Sequence, residues 1–536
     1  MGVSEWLLTS AERGNPYSGI DAHRDGPGWS EGNSVRPLVH GRHYFAELHQ
    51  RISAMKAGDR LYFADWQGDP DQQLTDDPGS TIASTLVAAA ERGVDVRGLL
   101  WRAHSRRLGF GGRAHLQLGA EINRAGGECL RDMRVRFRGA HHQKIVLLRH
   151  ADDPGRDVAY VGGIDLCHSR RDDEHHHGDR QGLPIAEAYG EHPAWHDVQV
   201  AISGPGVYDV ETTFRERWED STPLTANPGR LLASFAHAEP VLAKPLGERW
   251  PPPPSTGGHE AVQILRTFPR ILPKGFDFAP DGERSVMLGN LKAMRRAERL
   301  VYVEDQYLWS ADVGAHFAQA LADNPELRLV IVLPLVPDNG GPITEPPQLH
   351  GRALAMTPIL EAGGDRVAVF GLTNERGLPI YVHSKACVID HRWASVGSDN
   401  LNRRSWTSDS EIACVVVDDR GDLEDAAPVD AFPRVLLRQL VAEHLGCSTE
   451  EVPEEPHQLF DAMVACADAL DEFYGAAGPA RRHGVRGMLS TRFRRPPRTT
   501  SPRPPGRLRR LAAPDLSAAE LLWAPTLYDR LFDPEG

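Results

Sequence analysis

The sequence predicts an α/β protein built from two copies of one unit related by a pseudo-twofold axis. Apolar residues recur at helical spacing from Phe45 to Met55, and a strand-like run follows at 61–67. A second helical pattern at 82–92 leads into a buried strand at 94–101. Such alternation predicts β-α-β units and a mainly parallel sheet covered by helices. The same parts then recur later in the chain in the same order, which indicates an internal duplication.

The duplication is clearest in two short segments that each carry a His and a Lys two positions apart. The pairs are His142 with Lys144, and His383 with Lys385. In a strand, both side chains of a pair would point to one face. Each pair is followed by a Gly-containing turn, at Gly162–Gly163 and at Gly397–Ser398, and the loop before the turn is longer in the first copy. Two such matches in one chain favour a functional site over a surface coincidence.

The similarity extends beyond these motifs. Residues 60–65 correspond to 300–305, and 94–100 correspond to 327–333. After each turn an acidic residue opens the next strand, Asp197 in the first copy and Glu411 in the second. We therefore expect the two copies to pack face to face, with the site at their interface.

Five segments follow from these boundaries. They are an irregular N-terminal segment (1–35), the first half (36–221), a linker (222–258), the second half (259–475) and a tail (476–536). The run 251–258 is rich in Pro and Gly, which disfavours helix and sheet and predicts the connector. Amphipathic patterns at 429–446 and 457–474 predict two helices, and the apolar run at 521–532 is expected to dock back on the body.

Charge is unevenly distributed along the 536 residues. The formal net charge is −14, although residues 481–510 are rich in Arg and Pro and contain no Asp or Glu. The acidic body would repel a phosphate backbone, so a nucleic-acid partner is not expected. The basic stretch could bind an anionic membrane surface or pair with the acidic body.

The cysteines and the N-terminus bear on the compartment. The six cysteines have no metal-ligand spacing, which predicts free thiols in a reducing compartment. No signal-peptide apolar region and no transmembrane-length apolar run are found. We expect a cytoplasmic protein, either free or peripheral to a membrane, with both half-sites in one monomeric chain.

The residue types at the predicted interface suit phosphoryl chemistry. One imidazole can attack phosphorus to form a phosphohistidine, while the other protonates the departing oxygen. Lys144, Lys385 and Asn400 would hold the non-bridging oxygens. Asp197 and Glu411 would each orient an imidazole. No cofactor or metal is expected, and the polar run 172–179, which resembles a metal site, is interpreted as a solvated loop.

The second copy carries a complete pattern, made of His383, Lys385, Asp390, Gly397, Ser398, Asn400 and Glu411. This pattern resembles the signature of the phospholipase D superfamily. The first copy, with its His-His-Gln-Lys at 141–144 and Trp-His-Asp at 195–197, resembles the phospholipase D enzymes proper more than the small nucleases or the cardiolipin synthases. The resemblance implies two α/β/α sandwich halves with the active site between them. It also implies His142 as the nucleophile and His383 as the acid/base.

The first copy departs from the family pattern at three positions. Arg149 stands where the motif has Asp, and Gly163 and Asp165 stand where the second copy has Ser398 and Asn400. Either the motif Asp only supports the hairpin, with Asp152 or Asp153 as its substitute, or activity is impaired. Asp165 is expected to face Lys144 or the backbone, because a carboxylate aimed at a phosphate is repulsive. His141 is interpreted as a structural or supporting residue.

The leading functional hypothesis is a phospholipase D-type phosphodiesterase that converts glycerophospholipids to phosphatidic acid and a headgroup alcohol, with possible transfer to other alcohols. One alternative is the same chemistry on another phosphodiester, as in a phosphatidyl-transfer synthase or a nuclease. Another is a catalytically silent homologue that binds membranes. The expected partners are a phospholipid substrate and a membrane surface. Trp66, Tyr307 and Trp309 line the entrance to the site or pack in the core.

Overall fold

The computed structural model describes residues 2–24, 27–102, 112–225, 242–272, 274–420, 428–475 and 502–534. Within these residues, no helix is both long and apolar enough to cross a membrane. Most of the predicted basic stretch and part of the linker, at 226–241, lie outside the described residues.

Strands and helices alternate through both halves. The strands of the first half are β1 Ser30–Val39, β2 Arg60–Asp65, β3 Asp95–Trp101, β4 Glu128–Asp132, β5 Ile145–Arg149, β6 Val158–Gly162, β7 Ala194–His196 and β8 Val198–Ser203. Those of the second half and tail are β9 Glu260–Phe268, β10 Glu283–Arg284, β11 Leu300–Glu304, β12 Arg328–Val332, β13 Val367–Thr373, β14 Pro379–Val382, β15 Ala386–Ile389, β16 Trp393–Gly397, β17 Glu411–Asp418 and β18 Leu508–Arg510.

The described helices, numbered in chain order, are α1 Val3–Trp6, α2 Gly41–Ser53, α3 Ile82–Glu91, α4 Gly112–Arg124, α5 Gly206–Glu219, α6 Ser285–Met294, α7 Ala311–Asp323, α8 Glu345–Gly363, α9 Arg403–Thr407, α10 Phe432–Leu445, α11 Pro456–Phe473, α12 Ala518–Leu521 and α13 Ala524–Leu527. A π-helical turn, Tyr528–Phe532, follows α13.

Each half contains a sheet with the same strand order. In the first half the order is β1-β8-β6-β5-β2-β3-β4. In the second half it is β9-β17-β16-β15-β11-β12-β13. The sense of every pairing also corresponds between the two sheets. The duplication inferred from the motifs therefore holds at the level of topology.

The equivalent strands β1 and β9 pair antiparallel with each other, as a twofold axis between them requires. Buried side chains from both halves form one cluster that includes Leu147 and Val200 of the first half and Val388 and Cys414 of the second. Two further clusters lie on the outer faces, where helices cover each sheet. These layers confirm the predicted α/β class with two duplicated halves.

Two expectations about local structure are wrong. The sheets are mixed and not mainly parallel. In the first half only β2–β3 and β3–β4 are parallel pairs, and in the second half only β11–β12 and β12–β13 are. The β-α-β pattern covers only those strands, whereas a hairpin supplies β5–β6 and β15–β16. The segment 1–35 is not wholly irregular, since α1 lies within it and β1 begins at Ser30. The Gly, Asn and Pro of β1 have low strand propensity, so the sequence does not indicate a strand there. The segment forms a strand because it pairs with β8 and β9.

The C-terminal part follows the sequence prediction closely. Helices α10 and α11 occupy the two predicted amphipathic segments. Tyr528 is buried, and the carboxylate of Asp533 accepts hydrogen bonds from the backbone N–H groups of Arg403 and Arg404. The described end of the basic stretch pairs β18 with β13 and forms ion pairs with acidic residues of α11. Here the stretch pairs with the acidic body.

Candidate active site

The two His-x-Lys segments lie immediately before β5 and β15 and not within the strands. Each is hydrogen-bonded to the opposite half. The N–H of His142 donates to the carbonyl oxygen of Ser410 over 2.9 Å, and that of His383 donates to the carbonyl oxygen of His196 over 2.8 Å. The residue after each acceptor is Glu411 or Asp197. The backbone thus brings each imidazole beside the acidic residue of the other half.

The two imidazole–carboxylate pairs cross the interface between the halves. Nδ1 of His142 lies 3.0 Å from Oε2 of Glu411, and Nδ1 of His383 lies 2.7 Å from Oδ2 of Asp197. Each carboxylate holds Nδ1, which leaves Nε2 for chemistry. The side chain of His142 is 12% exposed and that of His383 is 5% exposed, so the first is more open to solvent.

Different neighbours hold the two carboxylates. Ser398 and Ser405 donate hydroxyl hydrogen bonds to Glu411, over 2.5 and 2.7 Å. At the equivalent of Ser398, a Cβ on Gly163 would lie 2.1 Å from Oδ1 of Asp197. The shorter acid therefore occupies the space that a serine side chain would need. The first copy has glycine at position 163, where the family pattern has serine, because the carboxylate of Asp197 leaves no room for a side chain there.

The glycines before these positions are also sterically required. A Cβ on Gly162 would lie 2.5 Å from the carbonyl oxygen of Val198, and one on Gly397 would lie 2.7 Å from that of Ile412. Both contacts are backbone contacts and cannot be relieved by a rotamer change. Only glycine at these two positions allows the turns to pack against the segments that carry Asp197 and Glu411.

The lysines are buried and held by oxygen atoms. Nζ of Lys144 donates to the carbonyl oxygen of His142 over 3.0 Å and lies 3.3 Å from Oδ1 of Asp165. Nζ of Lys385 donates to the carbonyl oxygen of His383 and, over 3.1 Å, to Oε1 of Gln306. The expectation that Asp165 faces Lys144 is confirmed. Asn400 is buried, and its Oδ1, an acceptor, has no hydrogen-bond partner among the described residues.

Burial and charge set the protonation of the second half-site. Burial, reinforced by the ammonium of Lys385, lowers the pKa of His383 well below its usual range, so this imidazole is neutral at pH 7 in the free protein. Burial lowers the pKa of Lys385 to about 8. Burial alone would raise the pKa of Asp165, but Lys144 and Arg170 outweigh it and hold that pKa below its usual range.

Asp390 supports the hairpin and lies outside the imidazole pairs. Its carboxylate accepts hydrogen bonds from the backbone N–H groups of residues 298–300, at the start of β11. In the first copy the acceptor is on the other side of the contact. The carboxylate of Asp59, just before β2, accepts a hydrogen bond from the N–H of Ala151 in the hairpin. Asp152 and Asp153 are exposed, so neither is the substitute that we expected.

Arg149 is part of a buried ion-pair network on the far side of the hairpin. Its guanidinium lies 2.6 Å from Asp157 and also contacts Glu211 and the carbonyl oxygen of Pro251. The arginine joins β5 to α5 and to the linker. Its presence therefore reflects packing of the first half, and nothing in this geometry blocks the imidazoles.

The polar run at 172–179 is not a solvated loop throughout. Asp172, His176 and Asp179 are buried, whereas Glu174, His175 and His177 are exposed. The imidazole of His176 belongs to a group of possible metal ligands with His40, His196 and Glu443. His141 is buried, and neither of its ring nitrogens has a hydrogen-bond partner among the described residues.

Several residues at the site were not predicted from the sequence. Gln306 holds Lys385, Arg170 donates to Asp165 over 3.1 Å, and Ser405 holds Glu411. Gln306 directly follows the repeated segment 300–305, so its position in the sequence could have indicated that it lies at the site. Arg170 lies in irregular chain and Ser405 lies in the short helix α9, each five residues after Asp165 or Asn400. Trp66 lies against His142, whereas Trp309 packs with Tyr307 and Tyr528.

Comparison with known families agrees with this geometry. Residues 54–243 match the family described as phospholipase D, and residues 292–429 match the family described as cardiolipin synthase, PLD-like domain. Together the two matches span more than half of the chain. The chain belongs to the phospholipase D superfamily.

Individual relatives are more distant. The chain is 26% identical over 387 residues to phospholipase D alpha 1 of Cynara cardunculus, covering 54% of this chain and 47% of that protein. It is 26% identical over 427 residues to phospholipase D gamma 2 of Arabidopsis thaliana, covering 60% and 49%. The chain thus spans about half the length of these relatives. A crystal structure of phosphatidylserine synthase from Haemophilus influenzae Rd KW20 aligns with a TM-score of 0.49 at 13% identity, covering 73% of this chain and 83% of that one.

Proposed function

We propose that this chain is a phospholipase D-type phosphodiesterase that acts on glycerophospholipids through a phosphohistidine. The observation that carries the proposal is the crossed arrangement of two imidazoles, each held at Nδ1 by a carboxylate of the other half. Such an arrangement provides a nucleophile and an acid/base on opposite sides of one phosphorus atom. The names of the plant relatives support a phospholipid as the substrate.

In the first step, Nε2 of His142 attacks phosphorus and the bond from phosphorus to the headgroup oxygen breaks. His383 gives its Nε2 proton to that oxygen. Because the pKa of His383 is low in the free protein, we expect it to gain this proton as the anionic phosphodiester binds. Lys144, Lys385 and the Asn400 amide bind the non-bridging oxygens, whose negative charge grows in the transition state.

In the second step, His383 removes a proton from water, and the resulting oxygen attacks phosphorus. The N–P bond breaks, phosphatidic acid leaves, and His142 regains its lone pair. An alcohol in place of water would give a phosphatidyl alcohol by the same route. Transfer is the second candidate function, and the description of the family that matches the second half favours it.

Membrane contact and a monomeric state are part of the same proposal. Both half-sites lie in one chain, so a second copy is not needed to complete the site. The exposed side chains of Phe137, Ile343 and Leu522 supply apolar surface for a peripheral contact with lipid. A nucleic-acid substrate is disfavoured by the acidic net charge of −14.

The test is an assay on phosphatidylcholine in mixed micelles with a primary alcohol and a chelator, with detection of phosphatidic acid and phosphatidyl alcohol. We expect both products from the unchanged protein and roughly 10²–10⁴-fold less from His142→Ala or His383→Ala. His43→Ala, which removes an exposed imidazole, is the matched control. Quenching of a labelled substrate with a denaturant at neutral pH, where the N–P bond survives, would identify the phosphorylated histidine. Absence of lipid turnover, with cleavage of another phosphodiester, would refute the lipid assignment.

A further inference from the structure

A second group of titratable side chains lies buried behind the His383 segment. It consists of four imidazoles and two carboxylates: His40, His176, His196, His444, Glu304 and Glu443. They come from the start of α2, the loop between β6 and β7, the end of β7, the end of β11 and helix α10. In the first half Ala64 occupies the place of Glu304, so the described residues contain no second copy of this cluster. The cluster is therefore separate from the duplicated half-sites.

Glu443 is the centre of this cluster. Its Oε2 lies 2.6 Å from Nε2 of His40, and its Oε1 lies 2.8 Å from Nε2 of His176 and 3.4 Å from Nδ1 of His196. The ligand atoms of these four residues all lie within 4.8 Å of one another. Three imidazole nitrogens and one carboxylate thus surround a single point.

The outward contacts of two imidazoles define which nitrogen faces that point. Nδ1 of His176 lies 3.2 Å from the carbonyl oxygen of Trp195, and Nε2 of His196 lies 2.8 Å from Oε2 of Glu304. Each of these nitrogens must donate its proton to an acceptor. In the neutral imidazoles the other nitrogen then presents a lone pair to Glu443, which is also an acceptor. A metal ion between them satisfies all these atoms, and a carboxylate or carbonyl behind each ligand histidine is the usual arrangement at such ions.

The backbone at two of these residues is strained. His40 has φ of 70° and His176 has φ of 52°, in the left-handed region that non-glycine residues rarely adopt. Such conformations are energetically unfavourable and persist where the surroundings impose them. The chain therefore directs both imidazoles to Glu443 against its local preference.

We propose that His40, His176, His196 and Glu443 form a structural site for a divalent transition metal, with zinc as the preferred ion. Three nitrogens and one oxygen make a closed four-ligand set with no open position, as in structural zinc sites. Imidazole ligands favour zinc over magnesium or calcium, which prefer oxygen ligands. The ion would fasten the 163–193 loop and α10 to β7. Because His196 precedes Asp197, it would also fix the carboxylate that faces His383.

The alternative is a metal-free network in which protons on His176 and His196 replace the ion. Both arrangements satisfy the same atoms, so metal content decides between them. The full-length protein, expressed in zinc-supplemented medium and passed over a chelating resin, is to be analysed by plasma mass spectrometry. We expect about one zinc ion per chain, since a closed buried site releases metal slowly. Replacement by Co²⁺ during refolding should give the intense visible bands of a tetrahedral site.

Variants then locate the ion. His176→Gln and His40→Gln keep a polar side chain but remove a ligand, and we expect the metal content to fall about tenfold or more. His43→Gln and His168→Gln change histidines outside the four ligands and should retain the ion. Circular dichroism checks that each variant is folded. The proposal fails if the unchanged protein contains no stoichiometric metal and no Co²⁺ bands develop, or if metal is present but unaffected by both ligand variants.

Discussion

At the scale of single residues, the ammonium of Lys385 gives a specific pH dependence. Burial lowers its pKa to about 8, so the charge is present below that pH and is lost above it. We expect kcat/KM to fall as the pH rises through about 8, because the neutral amine no longer attracts a phosphoryl oxygen. Lys385→Arg keeps its charge at all these values and should be slower but lack this fall.

The control for that pH profile is Lys292→Arg, a change at a lysine of α6 that lies outside the candidate site and is paired with Glu12. It should leave both the rate and the alkaline limb unchanged. A wild-type profile that stays flat well above pH 8, or a Lys385→Arg profile with the same fall as the wild type, would assign the limb to another group.

Arg149 is the residue whose role the sequence left open, and the structure predicts a loss of stability on its replacement. Arg149→Asp would bury a third carboxylate beside Asp157 and Glu211. Breaking such a pair typically costs about 3–5 kcal/mol. We therefore expect a lower thermal midpoint and no gain in rate per folded molecule.

Arg156→Asp, at an exposed position of the same hairpin, is the matched control and should change stability by about 0.5 kcal/mol or less. A stable Arg149→Asp protein with a large gain in rate would instead mean that the first half-site is impaired as it stands.

At the scale of elements, the C-terminal segment supports the loop that carries Asn400. The hydroxyl of Tyr528 donates to Asp533 over 2.8 Å, and Asp533 accepts from the N–H groups at the start of α9. We expect Tyr528→Ala to cost about 3–5 kcal/mol by leaving a cavity against Trp309 and Gly351. Tyr528→Phe keeps the ring and should cost about 1 kcal/mol.

Chemical denaturation measures both effects, with Leu522→Ala as a control at a side chain that is 85% exposed. A Tyr528→Ala protein as stable as the wild type would show that the C-terminal segment only rests on the surface and does not brace α9.

At the scale of the whole molecule, both imidazole–carboxylate pairs join the two halves of one chain. We therefore expect an equimolar mixture of His142→Ala and His383→Ala proteins to stay inactive, because neither chain contains both imidazoles. Recovery of activity on mixing would show that halves exchange between chains. Sedimentation of the unchanged protein at assay concentration gives the oligomeric state independently.

Much of the fold was predictable because duplicated features reinforce one another. Two His-x-Lys segments, two glycine turns and two acidic strand openings recur in the same order, and each of them lies at the interface. The strand β1 was not predictable, because its Gly, Asn and Pro give no local strand signal and its pairing partners lie far away in the chain. The predominance of antiparallel pairs was missed because it depends on pairings between strands far apart in the chain, such as β1 with β8 and β2 with β5.

The sequence by itself determined the fold class, the duplication, the superfamily and which histidines, lysines and acids to propose for the site, since these depend on local motifs and their order. Only the tertiary structure decided that each acid serves the histidine of the other half, and that Gly163 makes room for Asp197. It alone brought His40, His176, His196 and Glu443 together. The physical reason is that these contacts join residues far apart in the chain. Local sequence periodicity indicates helices and strands, but it does not indicate which distant side chains the packing of the two sheets brings into contact.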